Sequence, residues 1–303
     1  MAAGAGYRYL LNSVVPGDGD RDAASSLTRY YLESGTPPGK WIGSGIGGLP
    51  GGVQPGSEVH ETQLRRLMGF GQDPNTGEQL GRPYRKFATA TERVERRLNR
   101  LTVNLSPDEV AAQMVLIEAE EAAKPTGAPV AGFDLTFSVP KSVSTLWAVA
   151  DGGTQTLIAR AHHAAIQDVL GLLEREVAAT RVGAAGPRGA VAQAEIRGVI
   201  ATAYDHYDSR ASDPQLHTHV VVANRVQTVR DGKWRTLDSR ALHGAITGLS
   251  EHYNAVLTDH LAVLLGVEWE ARERGAGRST AWEIAGVPQN LMDEFSSRTR
   301  DIE

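Results

Sequence analysis

Two short apolar runs, each joined to histidine, constrain the fold of this chain more than any other feature. The run at 199–201 leads to His206, and His217-Thr-His219 leads directly into three valines. Alternate side chains of a strand point to the same face of a sheet, so we expect His217 and His219 to share a face. A polar connector that contains proline separates the two runs. Pairing of the runs as an antiparallel hairpin would bring His206 beside the other two histidines.

Three converging imidazoles are typical of a divalent-metal site with open coordination positions, as catalytic metals have. A single strand histidine is more often an ordinary polar residue, and the other histidines, such as His162 and His163, are interpreted as surface or packing residues. The chain contains no cysteine, which excludes thiolate ligands and disulfides and fits a reducing cytoplasm. Three imidazoles suit Zn²⁺, Mn²⁺, Ni²⁺ or Co²⁺, whereas Mg²⁺ is the abundant cellular ion.

The mixture of helical and strand patterns over the 303 residues predicts an α+β fold with a mostly antiparallel central sheet. Residues 7–11 and 130–139 have the pattern of strands. A helix is expected from residue 238 or 239 to about 265, followed by a hairpin at 267–284 and a last helix. No apolar run has the length needed to span a bilayer, and no signal-peptide pattern is present, so we expect no membrane insertion.

Two kinds of residue are candidates for catalysis beside the metal. Tyr30 and Tyr31 end a predicted helix that breaks into a loop rich in glycine and proline. A phenol is a weak nucleophile near neutral pH unless its electrophile is strengthened, which a metal that holds a phosphate oxygen can do. Packing in the core is the ordinary explanation for such a tyrosine pair.

Asp134 interrupts an otherwise apolar strand between Phe133 and Leu135. Its carboxylate could accept a hydrogen bond from a metal-bound histidine or take the proton of a tyrosine. The same roles are open to three further aspartates, Asp205, Asp208 and Asp213.

The stretch 82–100 is strongly basic although the chain has a net charge of −5. Its basic residues are Arg82, Arg85, Lys86, Arg93, Arg96, Arg97 and Arg100. Tyr84 and Phe87 lie among them. Both a solvated helix face and a groove that follows phosphates, with aromatic rings that stack on bases, are compatible with this pattern.

Longer motifs resemble those of conjugative relaxases of the TrwC/TraI (MobF) type. The central ones are Phe133-Asp-Leu-Thr-Phe-Ser-Val-Pro-Lys-Ser-Val-Ser144 and Asp213-Pro-Gln-Leu-His-Thr-His-Val220. Tyr30-Tyr-Leu-Glu-Ser-Gly35, Gly39-Lys-Trp-Ile-Gly43, Trp234-Arg-Thr-Leu-Asp-Ser239 and Gly286-Val-Pro288 extend the resemblance over nearly the whole chain.

The resemblance implies the HUH-endonuclease fold, in which helices flank an antiparallel sheet and a C-terminal helical region, here about 239–303, closes over single-stranded DNA. It implies that residues 1–303 form one relaxase domain that nicks and rejoins one DNA strand at a transfer origin (oriT). The attacking tyrosine becomes joined to the 5′ phosphate. The bacterial protein would then travel with the strand from the cytoplasm to the recipient cell. Relaxosome accessory proteins and a coupling protein would be its partners.

Carried onto this chain, the resemblance assigns the metal to the three histidines and sets Asp134 beside them. Lys141 and Arg210 match positions that touch DNA phosphate or orient the site. Tyr30, as the first of its pair, is expected to be the nucleophile ahead of Tyr31.

The chain departs from the pattern in one respect. Family members from enteric plasmids carry two tyrosine pairs, whereas here residues 22–26 contain no aromatic residue in place of a first pair. The second tyrosine could be Tyr31, Tyr7, Tyr9 or one from a second copy. Family members also tend to continue into a helicase region. No Gly-x-x-x-x-Gly-Lys-Ser/Thr motif occurs in this chain, so we expect no ATP hydrolysis by it.

Three rival hypotheses keep some of the same residues. A rolling-circle replication initiator would use the same tyrosine and metal chemistry on another DNA target. A metal hydrolase or cupin-type oxygenase would also use His-x-His, but would need more strands and a glutamate soon after the pair. In a non-catalytic single-stranded DNA-binding module, the tyrosines would only stack on bases.

Overall fold

The computed structural model describes residues 1–11, 37–101, 106–125, 127–183, 190–209, 213–273 and 280–297. Its helices are α1 (Glu61–Leu64), α2 (Ala90–Leu101), α3 (Pro107–Ala123), α4 (Lys141–Val149), α5 (Gly152–Leu172), α6 (Ser239–Leu265) and α7 (Gln289–Glu294). Its strands are β1 (Lys40–Ile42), β2 (Gly132–Ser138), β3 (Ala179–Gly183), β4 (Val191–Glu195), β5 (Ala201–Asp208), β6 (Pro214–Ala223), β7 (Val226–Gln227), β8 (Trp234–Arg235), β9 (Trp269–Arg272) and β10 (Ala281–Ile284). Short 3₁₀ turns at Arg8–Leu11 and Ser44–Gly48, and π-helical turns at Arg65–Phe70 and Leu173–Val177, complete the regular structure.

Four antiparallel strands form the central sheet in the order β1-β5-β6-β2. β5 and β6 are the expected hairpin, in which His206 pairs with His217. β2 runs along the other side of β6, with Asp134 opposite Val221 and Ser138 opposite His217. The predicted α+β fold with an antiparallel sheet is confirmed, and β2 is one of the two edge strands.

The sheet separates two hydrophobic cores because residues of β6 alternate between its faces. Val220 and Val222 pack into the larger core, which contains the buried sides of α5 and α6. Val221 and Ala223 pack into the second core with residues of the N-terminal segment and α1. The histidines of β6 have the same parity as Val221. They therefore share the face of the second core and leave the opposite face to the long helices.

The N-terminal segment forms a 3₁₀ turn where a strand was expected, and that prediction is wrong. Tyr7 and Leu10 are both buried, and side chains three residues apart eclipse one another in a 3₁₀ turn, whereas strand geometry would send them to opposite sides. The start of the chain is anchored beside β2, where the amino group of Met1 donates to the carbonyl of Gly132 at 2.8 Å.

The C-terminal part packs on the helical side of the sheet. α6 begins at the N-cap Asp238 and ends before Gly266, which has a left-handed φ of 67°. It agrees with the predicted helix and packs against α5. The expected hairpin is β9–β10, and Glu283 on it accepts a hydrogen bond from the backbone N–H of Ser142 at 2.8 Å. None of the helices in the described ranges combines the length and apolar character needed to cross a membrane.

Candidate metal centre

The three histidines converge at one point on the sheet. His206 lies opposite His217, and His219 follows two residues later on the same face of β6. Their ring centroids are separated by 5.1, 5.1 and 5.3 Å, and one ring nitrogen from each lies within 4.8 Å of the other two. The structure therefore brings together the three histidines as the strand pattern predicts, in a compact site of three ring nitrogens.

Hydrogen bonds determine which ring nitrogens face the centre. Nδ1 of His217 lies 2.9 Å from the carbonyl oxygen of Gln215, and Nδ1 of His219 lies 2.9 Å from Oδ1 of Asp134. Both partners accept, so each Nδ1 carries a hydrogen, and in the neutral form of each ring Nε2 keeps its lone pair. Nε2 of His206 is buried and has no hydrogen-bond partner among the described residues. A buried nitrogen without a partner is costly, and coordination of a divalent cation by the three nitrogens would satisfy it.

The surroundings of His206 and His217 favour their neutral imidazoles. Burial, followed by the neighbouring His217 and His219, lowers the pKa of His206 to about 4. Burial also lowers the pKa of His217, although the hydrogen bond to Gln215 opposes the shift. Because a metal binds the neutral form of histidine, these two ligands are ready for a cation near neutral pH.

Asp134 connects the histidines to a tyrosine. Its oxygens lie 2.9 and 3.0 Å from Nδ1 of His219, and the hydroxyl of Tyr9 donates to Oδ2 at 2.6 Å. Burial opposes ionisation of Asp134, but the hydrogen bonds from His219 and Tyr9 outweigh it and lower the pKa of the carboxyl. An ionised Asp134 can therefore orient the ring of His219, which is one of the roles considered for it. The sequence identifies Tyr9 only as one of several candidates for a second tyrosine.

The competing aspartates have other partners. Asp205 precedes His206 and so faces the opposite side of the sheet, where it accepts from Thr218 Oγ1 at 2.6 Å and lies 2.9 Å from His163 Nε2. Asp213 accepts from the hydroxyl of Ser297 at 2.7 Å. Asp208 lies beyond the register shift of β5 and pairs with the first residue of β6. Strand alternation alone would have ruled out Asp205 as a partner of the histidine cluster.

A chain of polar contacts that the sequence did not reveal lies behind the centre. His162 Nε2 is 2.8 Å from Thr218 Oγ1, and His162 Nδ1 is 2.7 Å from the hydroxyl of Tyr253. Together with Asp205 and His163, these side chains link α6 and α5 to the residue between the two histidines of β6. His162 is buried and His163 is exposed, which agrees with their interpretation as packing and surface residues, and both also take part in this chain of contacts.

Of the remaining predicted site residues, the structure describes Lys141 but not the tyrosine pair or Arg210. Tyr30, Tyr31 and Arg210 lie outside the described residues. Lys141 donates to the carbonyl oxygens of Pro214, at 3.3 Å, and Phe295, so it ties α4 to the start of β6 and to the C-terminal part. Its suggested contact with DNA stays a prediction.

The basic stretch divides into two parts. Arg93 and Arg97 form ion pairs with Glu121 on α3 at 2.8 and 3.0 Å, and these pairs join two helices. The other part borders a cavity of about 700 Å³. Its lining includes Arg85, Lys86, Arg96, Tyr84, Phe87, Ala3 and Gly4. The guanidinium of Arg225 lies 4.3 Å from the centroid of the Tyr84 ring and donates to the carbonyl of Arg82.

Comparisons with known proteins agree on one family. The sequence profile of the TrwC relaxase family matches residues 3–303. The multifunctional conjugation protein TraI of Escherichia coli is 37% identical over 180 residues, which are 56% of this chain and 9% of that protein. The TraI protein of strain K12 is 35% identical over 182 residues, again 9% of its length. The chain thus spans a small part of these curated relatives.

Solved structures are similar over most of the chain. A copper-bound conjugative relaxase TrwC in complex with oriT DNA has a TM-score of 0.60 and 26% identity, covering 90% of this chain and 73% of that one. A metal-bound TrwC complex with oriT DNA has a TM-score of 0.60 and 25% identity, covering 88% and 72%.

Proposed function

Because the chain belongs to the TrwC relaxase family, we propose that it cuts and rejoins one DNA strand at a conjugative transfer origin. The observation that carries this proposal is the three-histidine centre, which is linked through Asp134 to the hydroxyl of a tyrosine. A relaxase needs these parts together: imidazoles for a divalent cation and a phenol that can attack phosphorus. The oriT DNA and the metal in the related TrwC structures support the same proposal.

The reaction is a transesterification. A tyrosine oxygen bonds to the phosphorus of the scissile phosphodiester while the bond from phosphorus to O3′ breaks. The products are a 5′-phosphotyrosine ester and a free 3′ hydroxyl, whose later attack on the ester rejoins a strand. One phosphoester bond replaces another, so no nucleotide cofactor is needed. Tyr30, ahead of Tyr31, remains the sequence-based prediction for the attacking residue.

The protein's own residues prepare the centre for a divalent cation. A bound cation would polarise the scissile phosphate and make the phosphorus a better electrophile. His206, His217 and His219 would hold it through Nε2, and Asp134 would keep His219 in the required tautomer. We propose Mg²⁺ or Mn²⁺ as the cellular ion, while Zn²⁺, Ni²⁺ and Co²⁺ suit the same ligands.

The cavity beside α2 is the proposed contact surface for single-stranded DNA. Arg85, Lys86 and Arg96 bring positive charge to its wall, and Tyr84 and Phe87 bring aromatic rings. Cationic side chains that follow phosphates, together with rings that stack on bases, are the usual means of binding single strands. Arg82, Lys141 and Arg210 are weaker candidates for such contacts.

Membership of the family also suggests the partners and the cellular location of the protein. Relaxosome accessory proteins and a coupling protein are the expected partners in the bacterial cytoplasm. The protein would then pass with the cut strand into the recipient cell, and residues from about 239 onwards would help to enclose the DNA.

Single-stranded oligonucleotides that span the transfer origin of the same genetic element test the activity. With Mg²⁺ or Mn²⁺, we expect a covalent protein–DNA adduct on a denaturing gel, and we expect a chelator to prevent it. DNA binding without an adduct under any metal would favour the non-catalytic binding module. An adduct with the element's replication origin, but not with its transfer origin, would favour the rolling-circle initiator.

His217→Ala tests the role of the centre. The variant should form no adduct but keep most of its DNA affinity, because phosphate and base contacts outside the centre supply most of the binding energy. His252→Ala, at a histidine of α6 on the other side of the sheet, is the control and should behave like the wild type. Equal losses of affinity and cleavage in His217→Ala would mean that the cluster is structural.

A further inference from the structure

Tyr9 reaches the histidine centre through the carboxylate of Asp134. Its hydroxyl donates to Oδ2 at 2.6 Å, and Oδ1 of the same carboxylate lies 2.9 Å from Nδ1 of His219. Two hydrogen bonds therefore connect the phenol to an imidazole whose other nitrogen faces the centre. Tyr9 is 43% exposed, so part of its side chain is open to a bound DNA strand.

The segment that carries Tyr9 is anchored along its length. The amino group of Met1 donates to Gly132, and the N–H of Ala3 donates to Pro129 at 2.9 Å. Tyr7 and Leu10, on either side of Tyr9, are buried at 3% and 2% exposure. Burial of these two neighbours leaves Tyr9 directed away from the core, toward β2.

The same segment also borders the basic cavity. Ala3 and Gly4 line that cavity together with Arg85 and Lys86. The segment of residues 1–11 therefore lies beside the proposed DNA surface at one end and the histidine centre at the other. A strand bound in the cavity is near the segment that presents the Tyr9 hydroxyl.

We propose that Tyr9 is a nucleophile of this centre and forms a phosphotyrosine ester with the 5′ phosphate of the cut strand. The inference rests on the proposed function and names one of the residues that perform it. Oη of Tyr9 bonds to phosphorus, and the phenolic proton passes to the carboxylate of Asp134. The bond from phosphorus to O3′ breaks, and O3′ keeps the electron pair and takes a proton from water. The hydroxide that remains takes the proton held by Asp134, which returns the carboxylate to its ionised form.

Residues 22–26 contain no counterpart of the first tyrosine pair that enteric members of the family carry. With Tyr9 at the centre, the chain has a nucleophile in addition to the pair at residues 30 and 31. Two successive transesterifications could then be carried out by one copy of the protein.

The position of the adduct in the wild-type protein tests the inference directly. Cleavage by trypsin after arginine and lysine separates the candidates, because Tyr7 falls in residues 1–8, Tyr9 in 9–21, and the Tyr30–Tyr31 pair in 30–40. After adduct formation and nuclease trimming of the DNA, mass spectrometry should find a nucleotide-modified peptide 9–21. Tyr9→Phe should abolish that product, while Tyr7→Phe, which removes a hydroxyl from the same segment, should retain it.

A metal-free measurement accompanies the mapping. Tyr9→Phe removes one oxygen and keeps the ring, so its affinity for the oligonucleotide, measured by fluorescence anisotropy with a chelator, should equal that of the wild type. Adduct found on peptide 30–40 alone would overturn the role of Tyr9 and leave the proposed function standing. Absence of adduct on every peptide, with every metal, would overturn the proposed function and this inference with it.

Discussion

Neighbouring residues of β6 take part in two different kinds of chemistry. His217 and His219 face the candidate metal centre, while Thr218 between them faces the helices and contacts both Asp205 and His162. Burial opposes ionisation of Asp205, but the hydrogen bonds from His163 and Thr218 outweigh burial and lower the pKa of this carboxyl to about 2. The ionised Asp205 and the buried His162 thus hold Thr218 by hydrogen bonds on the face of the sheet opposite the candidate metal centre.

The buried imidazole makes the stability of the protein depend on pH. Burial lowers the pKa of His162 to about 3. Between that pH and about 6.5, the unfolded chain therefore binds more protons at this residue than the folded protein does. Protonation favours the unfolded state in this window, so the free energy of unfolding should fall by about 1–2 kcal/mol from pH 6.5 to 5 through this residue alone.

Urea unfolding of His162→Gln at both pH values measures this contribution. The variant should lose less stability on acidification than the wild type, whereas His252→Gln should lose as much as the wild type. His163, whose pKa is raised mainly by its hydrogen bond to Asp205, acts in the opposite sense. It is present in all three proteins, so the comparison isolates His162. Equal losses in wild type and His162→Gln would contradict the prediction.

Among the elements, the short strand β1 lies within the Gly39-Lys-Trp-Ile-Gly43 motif, and its packing explains the glycine at each end of that motif. β1 pairs with β5, and a Cβ at position 39 would lie 2.2 Å from the ring of Tyr204. Gly43 has a φ of 95°, and a Cβ there would lie 2.3 Å from the carbonyl oxygen of Val199. The two glycines therefore allow β1 to pack against β5 without a side chain in the way.

Gly39→Ala should destabilise the protein by about 1–3 kcal/mol, because the new methyl group must displace a fully buried ring. Tyr204 pairs with His219 across the sheet, so the displacement should also weaken metal binding. Gly47→Ala is the matched control, since a Cβ there meets nothing within 4 Å, and its effect should stay within about 0.5 kcal/mol. Urea unfolding and metal titration of both variants check this, and equal stabilities would contradict the packing argument.

For the molecule as a whole, charge distribution matters more than net charge. The chain carries a net charge of −5, yet Arg85, Lys86 and Arg96 meet around one cavity, while Arg93 and Arg97 are neutralised by Glu121 and Glu120. Attraction of DNA by the molecule as a whole is not expected, and binding should depend on the few cations around the cavity.

Salt dependence tests this directly. Each of Arg85→Gln, Lys86→Gln and Arg96→Gln should reduce the slope of log affinity against log salt concentration by about 0.7 for single-stranded DNA, because one phosphate contact is lost. Arg160→Gln, at an exposed position on α5, should leave the slope unchanged. Fluorescence anisotropy over a series of salt concentrations measures it, and a loss in Arg160→Gln as large as in the others would mean that binding is not localised.

Short-range patterns in the sequence determined the β5–β6 hairpin, the shared face of the three histidines and the helix at 239–265. These features follow from the alternation of side chains along a strand and from helix-capping residues, so they depend on neighbours in the chain. The same alternation, applied to Asp205, would have sent its side chain to the face opposite His206.

Residue chemistry left four aspartates open and the family resemblance favoured Asp134, but only the tertiary structure showed the contact of Asp134 with His219 and the approach of Tyr9 to that carboxylate. Tyr9 and Asp134 are 125 positions apart, and Asp134 and His219 are 85 apart. Their contacts depend on the register of β2 against β6 and on the packing of residues 1–11 against β2. The strand pattern at residues 7–11 was misleading for the same reason. Burial of Tyr7 and Leu10 in one core selects the 3₁₀ turn, and local β preference cannot anticipate that burial.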